Sequence, residues 1–229
     1  MKRSTINKLI HQSIELLNKN QFYLPKFAYW TLDEWRSKGK EIEGIIERQL
    51  GWDITDYGHG DFSEVGLIHF TIRNGRVQDL DQGGKLYCEK IMIMHEGQEI
   101  PMHHHRQKME DIINRGGGIL LIQLYNATDD DKLGNDFITI SLDGIEKTLK
   151  PGSIIELNPG ESATLKPNHY HKFWGKEGSG QYFLIGEVST VNDDYVDNVF
   201  LHKIERFSEI EEDEEPKYLL YDDYKTYLG

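Results

Sequence analysis

Apolar positions divide the chain into a short helical beginning and a long region of short apolar runs. Near the start, Ile6, Leu9, Ile10, Ile14 and Leu17 recur at helical spacing on one face, with Ser4 or Thr5 placed to cap the helix. Thr31 followed by Glu34 makes a capping box for a second helix, running through TLDEWRSKGKEIEGIIERQL until Gly51. From Val65 onward the pattern changes to apolar runs separated by turn residues. These are GLIHFTI before Asn74-Gly75, KLYCEKIMIMH before Gly97, GGILLIQLYN, DFITISL before Asp143-Gly144, PGSIIELN, ESATLKPNHYHKFW and QYFLIGEVS. Many short strands with little helix between them predict a mainly β protein, an antiparallel barrel or jelly roll. The closing stretch FSEIEEDEEPKYLLYDDYKTYLG is acidic and tyrosine-rich, and reads as a solvated charge run beside a docked terminal segment. The expected organisation is one domain over 1–229. A mainly helical extension covers 1–60, a β-barrel core covers 65–190, and a C-terminal extension over 191–229 packs on the barrel.

Composition narrows the partners. A formal net charge of −13 argues against nucleic acid, because phosphate binding relies on clustered Lys and Arg. Mean hydropathy is −0.60 and no apolar run approaches the thickness of a bilayer, so no membrane-spanning segment is expected. The single cysteine, Cys88, rules out an intramolecular disulfide, and the opening MKRSTINKLIHQSIE lacks the apolar stretch of a signal peptide. These features predict a cytoplasmic protein acting on a small molecule.

The candidate chemistry lies in GQEIPMHHHRQKMEDIINRGGG, residues 97–118. Alternate residues of a strand share a face, so His103 and His105 point together, about 7 Å apart at the backbone, while His104 faces the other way. After a tight turn Glu110 returns on the neighbouring segment and adds a carboxylate. A fourth ligand must come from elsewhere, and LKPNHYHKFW offers it. There His169 and His171 share a face, and either reaches the ion in principle. Three imidazoles and one carboxylate suit Mn, Fe, Co, Ni or Zn and leave positions open in a six-coordinate ion. One carboxylate against a divalent cation leaves net positive charge, so the ion acts as a Lewis acid on a bound carbonyl or hydroxyl. Met92, Met94 and Met109 read as core fillers, and the glycines at 116–118 as a close backbone turn at the barrel rim, since no Lys-Ser/Thr follows them.

The same window resembles the first cupin motif: glycine, five residues, His-x-His, four residues, Glu, six residues, glycine. Gly97, His103, His105, Glu110 and Gly117 fall in register. The second cupin motif is looser here, with Pro167 one residue closer to His171 than usual and its glycine absent. A wider resemblance, to the cupin-type D-lyxose ketol-isomerases, runs from the helical start through FAYWTLDEW, YCEKIMIMHEGQEIPMHHHRQKMEDIINRGGG, LKPNHYHKFW and GEVSTVNDDYVDN to RFSEIEEDE. It covers most of the chain. This resemblance implies a cupin jelly-roll barrel with manganese held by His103, His105, Glu110 and His171. It also implies interconversion of D-lyxose with D-xylulose, often of D-mannose with D-fructose, and a homodimer.

Aldose–ketose conversion through an enediol needs a stabilised oxyanion and a base near both carbons. Lys108 has the parity of Glu110 and lies at the turn over the site, which makes it the candidate acid. Lys90 shares a face with Met92 and Met94, where a lysine without a task is expensive, so it is a candidate for binding substrate. Glu211, in SEIEEDE, resembles the family segment bearing the catalytic carboxylate and is the expected base, with Glu187, Glu205 and Glu212 as alternatives. The competing functions are an iron or manganese dioxygenase or oxalate-degrading cupin, a non-catalytic sugar-binding cupin, and a phosphosugar isomerase using Lys85, Lys90, Arg106, Lys108 and Arg115. An apolar pocket favours oxygen chemistry, whereas Lys and Glu around the ion favour isomerisation.

Overall fold

The computed structural model describes residues 1–229. Helix α1 (Arg3–Lys19) buries Ile6, Ile10, Ile14 and Leu17, the face its spacing predicts. Its start differs from expectation: neither Ser4 nor Thr5 caps it, because the cap comes from the far end of the chain. Ser4 donates its backbone N–H and its hydroxyl to the Asp213 carboxylate at 2.9 and 2.7 Å. An acid at a helix N-terminus accepts otherwise unpaired donors and opposes the helix dipole. Beside it, Arg3 is fully buried and donates to Asp223 at 2.8 Å and to Glu212 at 2.6 and 2.8 Å.

The Thr31–Glu34 capping box forms, but helix α2 (Leu32–Arg36) stops after one turn. Gly39, at φ −100° and ψ −141°, breaks the run, which resumes as a 3-10 turn (Lys40–Ile42) and α3 (Glu43–Ile46). Strand β1 (Gly51–Thr55) follows at once, so the sheet begins earlier than Val65. A last short helix, α4 (Tyr224–Tyr227), docks its Tyr224 under Trp35 at a ring separation of 5.0 Å. None of these helices is long and apolar enough to cross a membrane.

Thirteen strands make two sheets whose neighbours all pair antiparallel. The larger has the order β1, β2 (Leu67–Arg73), β3 (Tyr87–His95), β12 (Tyr182–Thr190), β5 (Glu110–Gly116), β10 (Ser162–Leu165), β7 (Ile138–Leu142) and β8 (Ile145–Leu149). The smaller has β13 (Asn198–Phe200), β4 (Glu99–His105), β11 (His169–Gly175), β6 (Leu120–Asn126) and β9 (Ile154–Leu157). This is the mainly β, cupin-type jelly roll the strand spacing and motif predict. Between the sheets lies a core containing Met92, Met94, Ile112, Ile122, Phe173 and Phe183. A second core forms where α1 covers the outer face of the large sheet, burying Trp52, Ile54, Ile68, Phe70 and Ile91. Burying each large side chain there contributes about 2 kcal/mol. Met109, expected as a filler, is 40% exposed, because it stands just ahead of β5 on the outward parity.

Turn chemistry explains how the strands are joined. Asp143 and Gly144 both take positive φ (48° and 85°), the primed turn that closes the β7–β8 hairpin. Gly117 has φ 102°, and a Cβ there would lie 2.0 Å from the Tyr182 carbonyl oxygen, so the rim needs a residue without a side chain. Asn168, at φ 63°, makes the turn into β11 where the usual motif has glycine. Asparagine tolerates that conformation better than other side chains.

Candidate metal centre and the charged pocket around it

Strand alternation aims His103 and His105 of β4 between the sheets, and the β4–β11 register sets His171 directly opposite His103. The ligand atoms of these three buried histidines all lie within 4.8 Å of one another. His103 donates its Nδ1–H to the Pro101 carbonyl at 2.8 Å, and His171 donates its own to the His169 carbonyl at 3.0 Å. Those backbone bonds turn both Nε2 atoms toward the common centre and select the tautomer a metal ligand needs. Burial holds His103 well below the usual imidazole range, and burial with the Lys108 charge lowers His105, so both are neutral donors.

Glu110 arrives from the opposite sheet on β5. Its Oε1 lies 3.4 Å from His105 Nε2 and 3.1 Å from His171 Nε2. All three atoms are buried without a hydrogen-bond partner. Orphaned polar atoms in such a place cost free energy. A divalent cation coordinated by them removes that cost, and the nitrogen and oxygen donor set suits a transition metal. The residues present therefore fit a metal ion.

His169, the alternative on β11, sits at the turn, where its Nδ1 accepts the Lys166 backbone N–H at 3.3 Å and burial lowers it to about 4. It does not join the cluster. His104 points through the other face of β4, edge-on to Tyr170 at 4.5 Å and 3.3 Å from Asp131.

Beyond the histidines the pocket is charged. Lys108 Nζ lies 2.7 Å from Glu110 Oε2 and 3.0 Å from Glu187 Oε1. Burial alone would lower Lys108, yet the two carboxylates hold it above the ordinary lysine range. Burial alone would raise Glu187, yet Lys108 and Lys90 pull it below the ordinary glutamate range. Glu187 on β12 pairs in register with Lys90 on β3, and Lys90 Nζ reaches Asp194 at 3.0 and 3.1 Å. Asp194 in turn lies 3.8 Å from His69 Nε2 and 3.4 Å from Arg206, which also meets Asp53 at 2.8 Å. Each of these charges has an opposite neighbour, as burial demands.

Lys90 and Lys108 therefore lie where the sequence places them, facing the ion site, but Glu211 does not. Its side chain is 67% exposed beside Lys2 at 3.9 Å, and its backbone exchanges hydrogen bonds with Met1 and Arg3 at 2.8 and 2.9 Å. The acidic stretch docks against the basic start of α1 rather than the barrel mouth. Glu212 is tied to Arg3 at 2.6 Å and Glu205 is exposed, which leaves Glu187 as the one weighed carboxylate that lines the pocket. His69, Asp194 and Arg206 escape a reading of the sequence. Their signal is weak: a histidine inside GLIHFTI, one of two adjacent aspartates in VNDDYVDN, and the arginine opening RFSEIEEDE.

The family model described as D-lyxose isomerase matches residues 1–224. A D-lyxose/D-mannose isomerase of Serratia proteamaculans is 44% identical over 234 residues, covering 100% of both chains. One from Escherichia coli O157:H7 is 40% identical over 228 residues, covering 99% of this chain and 100% of that one. Among solved structures, the L-ribose isomerase of Geodermatophilus obscurus aligns with a TM-score of 0.58 at 16% identity, covering 92% of this chain and 98% of that one. At that identity the likeness concerns the fold alone. The family model and these full-length relatives agree with the motifs along the chain, and the chain belongs to the D-lyxose isomerase family.

Proposed function

We propose that this enzyme interconverts D-lyxose and D-xylulose, and D-mannose and D-fructose, by proton transfer through an enediol, with His103, His105, His171 and Glu110 as ligands of a manganese ion. The observation that carries the reading is the buried carboxylate of Glu187, held 3.0 Å from the Lys108 ammonium beside the three-histidine cluster. When bound, the divalent ion supplies Lewis acidity toward the carbonyl and neighbouring hydroxyl of the open-chain sugar. Glu187, kept ionised by Lys108 and Lys90, takes the proton from C2 of the aldose as the electron pair forms the C1–C2 double bond. Lys108 supplies a proton to the carbonyl oxygen at C1 and recovers one from the oxygen at C2. Glu187 then returns its proton to C1, and the ketose forms with every proton accounted for. Lys90 anchors Glu187 and Asp194 and presents a cation to sugar hydroxyls.

The surroundings support this chemistry over the rivals. An oxygenase pocket is better served by apolar walls than by Lys90, Lys108, Glu187, Asp194 and Arg206. A phosphosugar needs a free cation, but Lys90 and Lys108 are already matched by carboxylates, Arg106 pairs with Asp131 at 2.7 Å, and Lys85 and Arg115 are exposed. The direct test strips the protein with chelator, restores manganese, and follows D-lyxose in D2O. Deuterium on carbon in product and recovered aldose is the expected result, gained as the proton held on Glu187 exchanges with solvent during the lifetime of the enediol. Turnover without solvent label would overturn proton transfer in favour of a hydride shift, and oxygen uptake without isomerisation would overturn the whole assignment. The reading includes a homodimer, so sedimentation should give twice the 26.7 kDa chain mass, and a monomer would remove that part.

A further inference from the structure

Tyr57 stands out among the pocket residues because its backbone is in the left-handed region at φ 54°, where a bulky side chain is uncommon. The neighbouring chain over-determines that conformation. Tyr57 donates its N–H to Thr55 Oγ1 at 2.9 Å and accepts the Glu205 N–H at 3.2 Å. Thr55 Oγ1 donates to the Arg206 carbonyl at 2.8 Å, and Asp56 donates its N–H to Ser208 Oγ at 2.8 Å. The turn after β1 and the segment carrying Arg206 are thus stitched together, and strain held in this way is a pointer to function.

The side chain supplies a second, independent observation. Tyr57 is only 5% exposed and lines the metal pocket together with Arg206 and Asp194. Its ring packs edge-on against Phe200 at 5.6 Å, and Phe200 packs against His103 at 5.5 Å. Tyr57 also lines a larger outer groove with His59, Glu99, Lys203 and Glu205, so its ring stands between inner pocket and groove. Both hydrogen bonds of Tyr57 belong to its backbone, and its phenol makes none. Burial pushes the phenol up, so it is a neutral O–H donor. The hydroxyl is not sealed in the interior but keeps an opening where Tyr57 lines the pocket, and phenylalanine would give the same ring contacts without it. An unpartnered donor at that opening is available to a ligand.

We propose that Tyr57 is a substrate-binding residue whose phenol donates a hydrogen bond to a sugar hydroxyl beyond the reacting C1–C2 pair, while its ring closes the pocket from the outer groove. Phe200 rather than Tyr57 packs on His103, so the phenol is assigned a hydroxyl other than those the ion would hold. The inference rests on the sugar-isomerase reading and adds the residue that reads the distal end of the substrate. Tyr57→Phe keeps the ring and the fold, with a thermal midpoint within a few degrees of wild type. In the manganese-loaded enzyme we expect KM for D-lyxose to rise about tenfold, the loss of one hydrogen bond, with kcat within about threefold. Among 3-, 4- and 5-deoxy-D-lyxose the penalty vanishes for the analogue lacking the partner hydroxyl. Affinity for an unreactive pentitol, read by calorimetry, falls by the same factor and reports on Tyr57 even if isomerisation were absent. Unchanged KM and pentitol affinity, an effect confined to kcat, or an equal penalty for all three deoxy sugars would overturn the proposal. Failure of the wild-type enzyme to isomerise any aldose, with pentitol binding still sensitive to Tyr57→Phe, would instead strike the assigned reaction.

Discussion

Glu187→Gln is expected to lower kcat for D-lyxose by a factor of about 10²–10⁴, the contribution a well-placed general base makes. The amide keeps the shape and can still receive a hydrogen bond from Lys108, which lies 3.0 Å from the carboxylate, but it cannot accept a proton from carbon. Lys108 keeps Glu110 at 2.7 Å and Lys90 keeps Asp194 at 3.0 Å, so neither cation is left uncompensated and the fold survives. KM should change little, because the lost interaction acts in the transition state. The matched comparison is Glu211→Gln. Its side chain is 67% exposed against Lys2, so kcat should stay within about twofold. Steady-state kinetics of the two variants decide between the carboxylates. A Glu187→Gln enzyme with near wild-type turnover, or a Glu211→Gln enzyme without it, would reverse the assignment.

Removal of the metal should abolish turnover altogether. After exhaustive chelation the rate should fall to background, and manganese should restore it in the wild type but not in His171→Ala. That variant loses one of three imidazoles gathered within 4.8 Å. A ligand's loss weakens a transition-metal site severely, and even the removal of a residue supporting a ligand typically costs 10–100-fold, so loading at micromolar manganese should be lost. A thermal readout is independent of activity. A ligand that binds only the folded state, at one hundred times its dissociation constant, stabilises by about 2.7 kcal/mol. The apo protein should therefore gain several degrees on adding manganese, and His171→Ala should gain none. The sign follows from the three buried orphan atoms, His105 Nε2, His171 Nε2 and Glu110 Oε1, which the ion would satisfy. Full activity in chelated protein, or an equal thermal gain in His171→Ala, would remove the ion from the mechanism.

Much of the site is legible because its information is local. His103 and His105 share a face by strand parity alone, and His104 is turned away from them by the same rule. Lys90 inherits an inward direction from Met92 and Met94, and the core bears this out. The face of α1 and the Thr31–Glu34 capping box likewise follow from spacings of three and four residues. Where the sequence misled, a distant segment or a single local glycine decided. The cap of α1 comes from Asp213, and the second helix is cut at Gly39, a break that its good capping signal hides.

The choice among acids needed the fold. Glu187, Glu205, Glu211 and Glu212 are equivalent in residue type, and no periodicity separates a carboxylate in a pocket from one on a surface. Pairing of Glu187 with Lys90 joins strands whose residues are nearly a hundred positions apart, and the docking of the acidic tail on Lys2 and Arg3 places Glu211 and Glu212 outside the pocket. His69, Asp194, Arg206 and Tyr57 meet only because β1, β2 and two loops converge behind the metal cluster. By itself the sequence determined which residues alternate, where turns fall and which histidines share a face, since these depend on backbone geometry over two to four residues. The tertiary structure decided which charges are buried together, because desolvation and ion pairing act between atoms close in space whatever their distance along the chain.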